Sequence, residues 1–223
     1  MMSGLKTVSP TEKLDFERVD PKLVEAARPI GTATLHEAGG KIGALPPQIK
    51  PMAPSFKICG PAFTVQGPPG DNLRLHRALA AAKPGDVLVA SVGGVYEHGY
   101  WGEIMSTAGK AAKLGGLVID GCVRDGALLE GVGFPVFARG LCIKGTGKDF
   151  EARAFLGHPV LIGDITVNAG DLVVGDTDGV CVVPRARVAE VIQKSLDREA
   201  KEAKTMEQLR GGATTLDLYG WNR

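Results

Sequence analysis

The feature of this sequence that most restricts its fold is its punctuation: 31 Gly and 14 Pro are spread over 223 residues and cut the apolar runs into short pieces. Pieces of that kind suit strands and brief helices joined by tight turns, and they do not build a long helical bundle. With 44% hydrophobic residues the chain buries a full core and fits one compact domain with terminal additions. Aromatic residues supply only 5%, so that core is aliphatic. The 26 Lys and Arg and 25 Asp and Glu are interspersed, giving a net charge of +1. Without a single-sign field, no nucleic-acid partner is expected.

Apolar periodicity divides the chain into three stretches. Residues 1–54 read as an N-terminal helical arm and a wrapping segment. SPTEKLDFERVDPKLVEAAR offers Ser9 and Thr11 as caps and Leu14, Phe16, Val19, Leu23 and Val24 at helical spacing, with Pro21 dividing it into two short helices. Residues 55–184 read as an α/β core holding the site. GPAFTVQG, DVLVASV and LGGLVID have strand character, and NLRLHRALAAA and EIMSTAGKAAKL helical character. FPVFARG, HPVLIG, DITVN, DLVVGD and GVCVVP follow as short strands expected to pair antiparallel. Residues 185–223 hold a long amphipathic helix and tail, with Val188, Val191, Ile192 and Leu196 on one face, expected to contact a neighbouring subunit. KPGDVLVASVGG and NAGDLVVGDTDG share a Gly-Asp core that reads as a turn feeding a strand. The expected class is α/β, a layered β/β/α core with sheet on sheet covered by helices. No 18-residue apolar run occurs, so no membrane span is expected. The polar N-terminus lacks a secretory apolar stretch, and the expectation is a cytoplasmic protein. Cys59, Cys122, Cys142 and Cys181 form no CxxC pair and read as buried, reduced thiols.

Chemistry concentrates between Gly93 and Gly147. The glycine-interrupted loop GGVYEHGYWG leads into a helix beginning near Gly102 and Glu103, whose first N–H groups lack partners and attract anions. The strand GLVID ends in GCVRDG, placing Arg124 and Asp125 just beyond a strand terminus, where α/β folds keep their ligand crevice. Twenty residues separate Glu103 from Arg124, and a helix with a returning strand of that length brings its ends together. Arg suits bidentate capture of a carboxylate, and carboxylate oxygens with water suit a hard Mg²⁺ or Mn²⁺ ion.

This stretch, WGEIMSTAGKAAKLGGLVIDGCVRDGALLEGVGFPVFARG, with the later DLVVGDTDGVCVVP, resembles the 4-hydroxy-4-methyl-2-oxoglutarate/4-carboxy-4-hydroxy-2-oxoadipate aldolases and the wider RraA-like family. The resemblance runs over roughly residues 55–223 and implies a swivelling-domain-like core. It also implies a divalent-metal-dependent lyase that releases pyruvate from a 4-hydroxy-2-oxo acid, with oxaloacetate decarboxylation as a side activity. Asp125 would be the direct metal ligand, and Arg124 would bind substrate and steady the pyruvate enolate. Backbone amides of Tyr100, Trp101, Gly102, Glu103 and Ile104 would hold the pyruvate carboxylate. The family has Asp where this chain has Glu103, here expected to hold a metal-bound water. A glutamate from an adjacent subunit corresponds to Glu199 or Glu202, in a homotrimer or homohexamer.

Other readings compete. Lys144, ending the apolar ARGLCI run, is the candidate for a Schiff-base route. Arg124 and Asp125 could be a surface ion pair, and Glu103 a first-turn helix acid. His98 could contact substrate, whereas His36, His76 and His158 are ungrouped. GTGKDF lacks the ending of a phosphate loop and reads as a turn, as does the Asp176–Asp178 segment. The alternative function is that of a non-enzymatic RraA-like regulator that binds a ribonuclease. The N-terminal arm and glutamate-bearing C-terminal helix favour the enzyme.

Overall fold

The structure, a computed structural model, describes residues 11–222. In chain order its elements are α1 (Pro21–Ala27), α2 (Thr32–Ala38), β1 (Lys50–Pro51), β2 (Ile58–Gln66), α3 (Leu73–Ala81) and β3 (Val87–Ser91). They continue with α4 (Glu103–Ala111), β4 (Gly116–Asp120), β5 (Cys122–Val123), α5 (Gly126–Val132), β6 (Val136–Ala138) and β7 (Gly140–Leu141). The rest are β8 (Phe155–Leu156), β9 (Val160–Ile162), β10 (Ile165–Val167), β11 (Leu172–Asp176), β12 (Gly179–Val183), α6 (Val188–Arg210) and α7 (Thr215–Tyr219).

The main sheet runs β1-β6-β4-β3-β2-β11-β12, with β8 added to β2. Pairs β2–β3, β3–β4 and β4–β6 are parallel, whereas β1–β6, β2–β11 and β11–β12 are antiparallel. The β11–β12 and β9–β10 pairs are antiparallel as expected, whereas β6, from the FPVFARG run, joins β4 in parallel and departs from that expectation, because it follows a crossover helix, α5, rather than a hairpin turn. The sheet curls until its edges nearly meet. Ala44 bridges Cys181 on β12, and the same segment continues into β1 at the far edge. Opposed walls of one curled sheet therefore face each other across the core.

Alternation explains the unbroken apolar runs. On β11, Val173 enters the main core, while Leu172 and Val174 enter a second core under α1, α2 and α6. Strands buried on both faces need no polar face. The shared Gly-Asp turns both feed strands, β3 and β11. In each, the Asp carboxylate accepts the N–H of the residue three before it, Lys83 N–Asp86 Oδ2 at 2.8 Å and Asn168 N–Asp171 Oδ2 at 2.9 Å.

The arm departs from expectation. Ser9 lies outside the described residues, and residues 13–20 are not helical: Lys13 N–H donates to Leu156 O and Val19 N–H to Gly170 O. Two forces override the helical spacing. Pro21 sits at the first position of α1 and drives Asp20 to an extended conformation, where its carboxylate caps Lys22 N at 2.8 Å. Arg18 reaches fully buried Asp86 through two bonds of 2.7 and 2.8 Å. On α6, Val188, Val191 and Ile192 are buried as expected, but Leu196 is 45% exposed. The four cysteines are free thiols, and burial pushes Cys59 up to about 11 and Cys181 to about 12. Cys122 and Cys142, read as buried, are only half-buried, because they lie on and beside the short two-stranded β5–β7 ladder rather than in the main sheet. No helix among the described residues is long and apolar enough to cross a membrane.

Candidate active site

The parallel strands β3 and β4 deliver two loops to one end of the sheet. Arg124 N–H donates to Trp101 O at 2.8 Å and Tyr100 N–H to Cys122 O at 3.1 Å, so the loops are laced by backbone bonds. A third loop joins them: Gly99 N–H donates to Lys144 O and Cys142 N–H to Val123 O, each at 2.8 Å.

Asp125 occupies the left-handed region at φ 61° and ψ 31°, rare for a residue with a side chain. Although it precedes α5, its carboxylate does not cap that helix. It turns instead to α4, where Oδ2 accepts the Glu103 N–H at 3.0 Å. Arg124 Nε lies 3.8 Å from the same oxygen, and both side chains are partly exposed at 48% and 36%. Gly102 makes room for this arrangement, since a Cβ there would stand 2.2 Å from Asp125 Oδ2.

These residues border a cavity of about 200 Å³. Its lining comprises Gly99–Gly102, Ile104, Arg124 and Asp125 together with Asn72, His76, Thr146 and Lys148. Ile104 is 78% exposed. Tyr100 and Trp101 contribute backbone, because their side chains belong to the core. Trp101 Nε1 donates to Ser106 Oγ at 2.8 Å, and the indole stacks on Phe134. The Tyr100 hydroxyl accepts from Gly70 N–H, and burial pushes its pKa up. Asn72 Nδ2 donates to Tyr100 O at 2.7 Å, while its buried Oδ1 has no hydrogen-bond partner among the described residues. Loss of hydration, reinforced by Lys148, pushes the His76 imidazolium down.

Of the residues picked from sequence, Arg124, Asp125, Tyr100, Trp101, Gly102 and Ile104 line one cavity. The side chain of Glu103 is exposed and does not line it, although its peptide N–H is held by Asp125. Glu199 and Glu202 lie on α6 outside the cavity, and Glu202 pairs with Arg198 at 2.7 Å. Lys144 is exposed and does not line the cavity. His98 lies behind the wall, against Tyr100. Asp176 and Asp178 form a turn, as read, with Asp176 also holding Thr32. The GTGKDF segment, read only as a turn, supplies Gly145, Thr146 and Lys148 to the cavity. Its one sequence signal was a lysine set among glycines. Asn72 was also missed.

Among the described residues no group of three or more His, Cys, Asp or Glu side chains converges to cage a metal. Asp125 Oδ1 makes no hydrogen bond among them. One such carboxylate fits a hard ion of the Mg²⁺ type, which keeps several waters and takes further oxygens from its substrate.

The crevice lies at the carboxyl ends of parallel strands, bordered by a guanidinium, a carboxylate and a helix start, the place where α/β folds keep their ligand sites. The chain belongs to the RraA-like family, described as Aldolase/RraA, whose model matches residues 21–182. A relative from Halalkalibacterium halodurans, by its provisional name a 4-hydroxy-4-methyl-2-oxoglutarate aldolase, is 33% identical over 192 residues, 86% of this chain and 90% of that protein. A solved structure from Pseudomonas syringae, of unassigned function, superposes with TM-score 0.78 at 29% identity, covering 92% of this chain and 96% of that one. RraAS2 of Streptomyces coelicolor, described as an unusual member of the RNase ES inhibitor RraA family, superposes with TM-score 0.75 at 29% identity, covering 86% and 99%.

Proposed function

We propose that this chain is a lyase that cleaves 4-hydroxy-2-oxo acids such as 4-hydroxy-4-methyl-2-oxoglutarate or 4-carboxy-4-hydroxy-2-oxoadipate, releasing pyruvate with Mg²⁺ or Mn²⁺ as cofactor. The observation that carries this reading is the convergence of Arg124, Asp125 and the start of α4 on one cavity. Retro-aldol cleavage passes the C4 hydroxyl proton to water and breaks the C3–C4 bond as a carbonyl forms at C4; the electron pair stays as the enolate of pyruvate, which takes a proton back at C3. A divalent ion held through Asp125 supplies, when bound, Lewis-acid stabilisation of that charge.

The remaining tasks fall to the protein. The amides of Ile104 and Met105, in the first turn of α4, suit the substrate carboxylate. Arg124 donates to the oxygen on which charge develops, and deleting one such donor costs about 2.7 to 4 kcal/mol of barrier. Asn72, through its bond to Tyr100 O, holds the backbone that leads into α4. Loss of carbon dioxide from oxaloacetate leaves the same enolate, so that decarboxylation is expected at the same site. We place Glu199 or Glu202 of a neighbouring copy at the mouth of the cavity, in a trimer or a pair of trimers.

The test is pyruvate release from 4-hydroxy-4-methyl-2-oxoglutarate by wild type and Asp125→Ala, with Mg²⁺ and with a chelator, both proteins being checked for folding. Release that needs the metal and disappears in folded Asp125→Ala is expected. Release that survives both would sink the metal route. The likeness to RraAS2 favours a second reading, a protein that binds a ribonuclease. Tight ribonuclease binding by wild type that releases no pyruvate would establish it instead.

A further inference from the structure

We propose that His76 is the proton carrier of the cavity: through one water it takes the proton of the C4 hydroxyl and returns it to C3 of the pyruvate enolate. The inference deepens the lyase reading and rests on it.

The reaction needs a group that both accepts and gives a proton near neutral pH, and one side chain lining the cavity does so. A guanidinium and an ammonium keep their protons there and a carboxylate has lost its own, which sets aside Arg124, Lys148 and Asp125. The Tyr100 hydroxyl is held between Gly70 N–H and Val95 O. Imidazole alone among the lining groups changes charge in the required range.

The ring is also free to act. Of the four histidines, His36 bonds Ile42 O, His98 lies on Tyr100 and His158 on Phe155. The exposed His76 ring has no hydrogen bond, ion pair or ring contact among the described residues, so nothing must break before it binds a water. Its helix is fixed nonetheless. Asp71 Oδ1 accepts Leu73 N–H at 2.7 Å at the start of α3, and Leu75 and Ala78 enter the main core.

The surroundings favour the unprotonated ring. Loss of hydration, then Lys148, push the imidazolium down, and Asp71 opposes them. Arg124 and Asp125 share the cavity with it. On its own helix stand Arg77 and the buried Arg74, which donates to Ala152 O. Strands β2 and β8, packed on α3, carry no Asp, Glu, Lys, Arg or His, and α4 carries Glu103 and Lys110. An unprotonated imidazole is the form that accepts a proton.

Protons and electrons balance over the cycle. The C4 hydroxyl proton passes through water to the ring nitrogen, the oxygen's electrons form the C4 carbonyl, and the C3–C4 pair becomes the enolate. The imidazolium then protonates C3, and the free base is restored.

The experiment isolates that second half. With pyruvate and Mg²⁺ in D₂O, loss of the methyl proton signal in NMR reports exchange at C3 without any aldol substrate. His76→Gln is expected to slow exchange roughly a hundredfold, and added imidazole to restore part of it. The His76 ring signal, assigned by its loss in His76→Gln, is titrated in the metal-free and the Mg²⁺-loaded protein. Its pKa should lie below the ordinary histidine value and rise in Lys148→Met. Wild-type exchange at low pyruvate should fall as pH drops through the value of the loaded protein, move with it in Lys148→Met, and lose that acid limb in His76→Gln. Exchange at the wild-type rate in His76→Gln, or an acid limb that persists there, would overturn the proposal and leave the lyase reading intact. Wild type that neither exchanges pyruvate nor cleaves 4-hydroxy-4-methyl-2-oxoglutarate defeats the lyase reading and this inference with it.

Discussion

Asp125 carries two demands that pull against each other: a left-handed backbone, which costs a residue with a Cβ about 1 to 3 kcal/mol, and a carboxylate aimed at another helix. The conformation persists because its surroundings hold it, through Arg124 N–H on Trp101 O and Glu103 N–H on Asp125 Oδ2. Gly102 is the vulnerable point of that support. Its backbone is extended and tolerates any residue, so only space matters: an added Cβ meets Asp125 Oδ2 at 2.2 Å and Arg124 Cγ at 3.1 Å. Gly102→Ala should therefore displace the carboxylate by a fraction of its own length and lower kcat roughly a hundredfold. The melting temperature, followed by circular dichroism, should move little. Full activity in Gly102→Ala would mean that the position of Asp125 does not govern turnover. At this scale the Arg124–Asp125 wall was legible, because a strand end, a helix start and two charges lie within one continuous stretch. Asn72, Thr146 and Lys148 were not, because their segments are brought to the cavity by bridges such as Asp71–Gly147 that no local pattern announces.

Elements were legible where one periodicity acted alone. The runs at β2, β3, β4, β11 and β12 read as strands because both faces of each are buried. Helix α4 read correctly from its glycine-rich start to its last turn. The arm did not, since its helical spacing yields to a long-range ion pair. Arg18 grips Asp86, 68 residues away, and Asp86 simultaneously closes the turn before β3 through Lys83 N–H. Phe16 meanwhile lies against Phe63, 5.8 Å between centroids. Helical geometry over residues 13–20 would forfeit these contacts. Truncating Asp86 leaves a largely buried guanidinium without its partner, so Asp86→Ala should cost about 3 to 5 kcal/mol in urea denaturation. The exposed pair Arg28–Glu25 provides the control, and Glu25→Ala should cost only about 0 to 1 kcal/mol. A cost below about 1 kcal/mol for Asp86→Ala would show that packing of the arm, not the pair, holds it.

At the scale of the molecule, the cavity opens beside an apolar rim. Ile104, Leu128, Leu141 and Ile143 are 78%, 50%, 62% and 96% exposed, and Leu141 and Ile143 flank Arg124 and Asp125. Exposed aliphatics beside a site suit a contact surface, and we place the neighbouring copy of the proposed assembly there. The distal part of α6 offers the converse, a charged helix with no buried residue beyond Ser195. The proposed assembly joins the two, one copy's Glu199 or Glu202 meeting the cavity of the next. In a cyclic trimer each site then takes Asp125 from one chain and a glutamate from its neighbour, so defects in different chains complement. Asp125→Ala chains and Glu199→Ala/Glu202→Ala chains should each be nearly inactive alone. Co-expressed at equal amounts with random assembly, about one site in four receives an intact core and an intact neighbouring helix, and about a quarter of wild-type turnover should return. Two affinity tags on the two chains verify that mixed assemblies form. Mixed assemblies that stay inactive, or glutamate variants that are fully active alone, would place the complete site within a single chain.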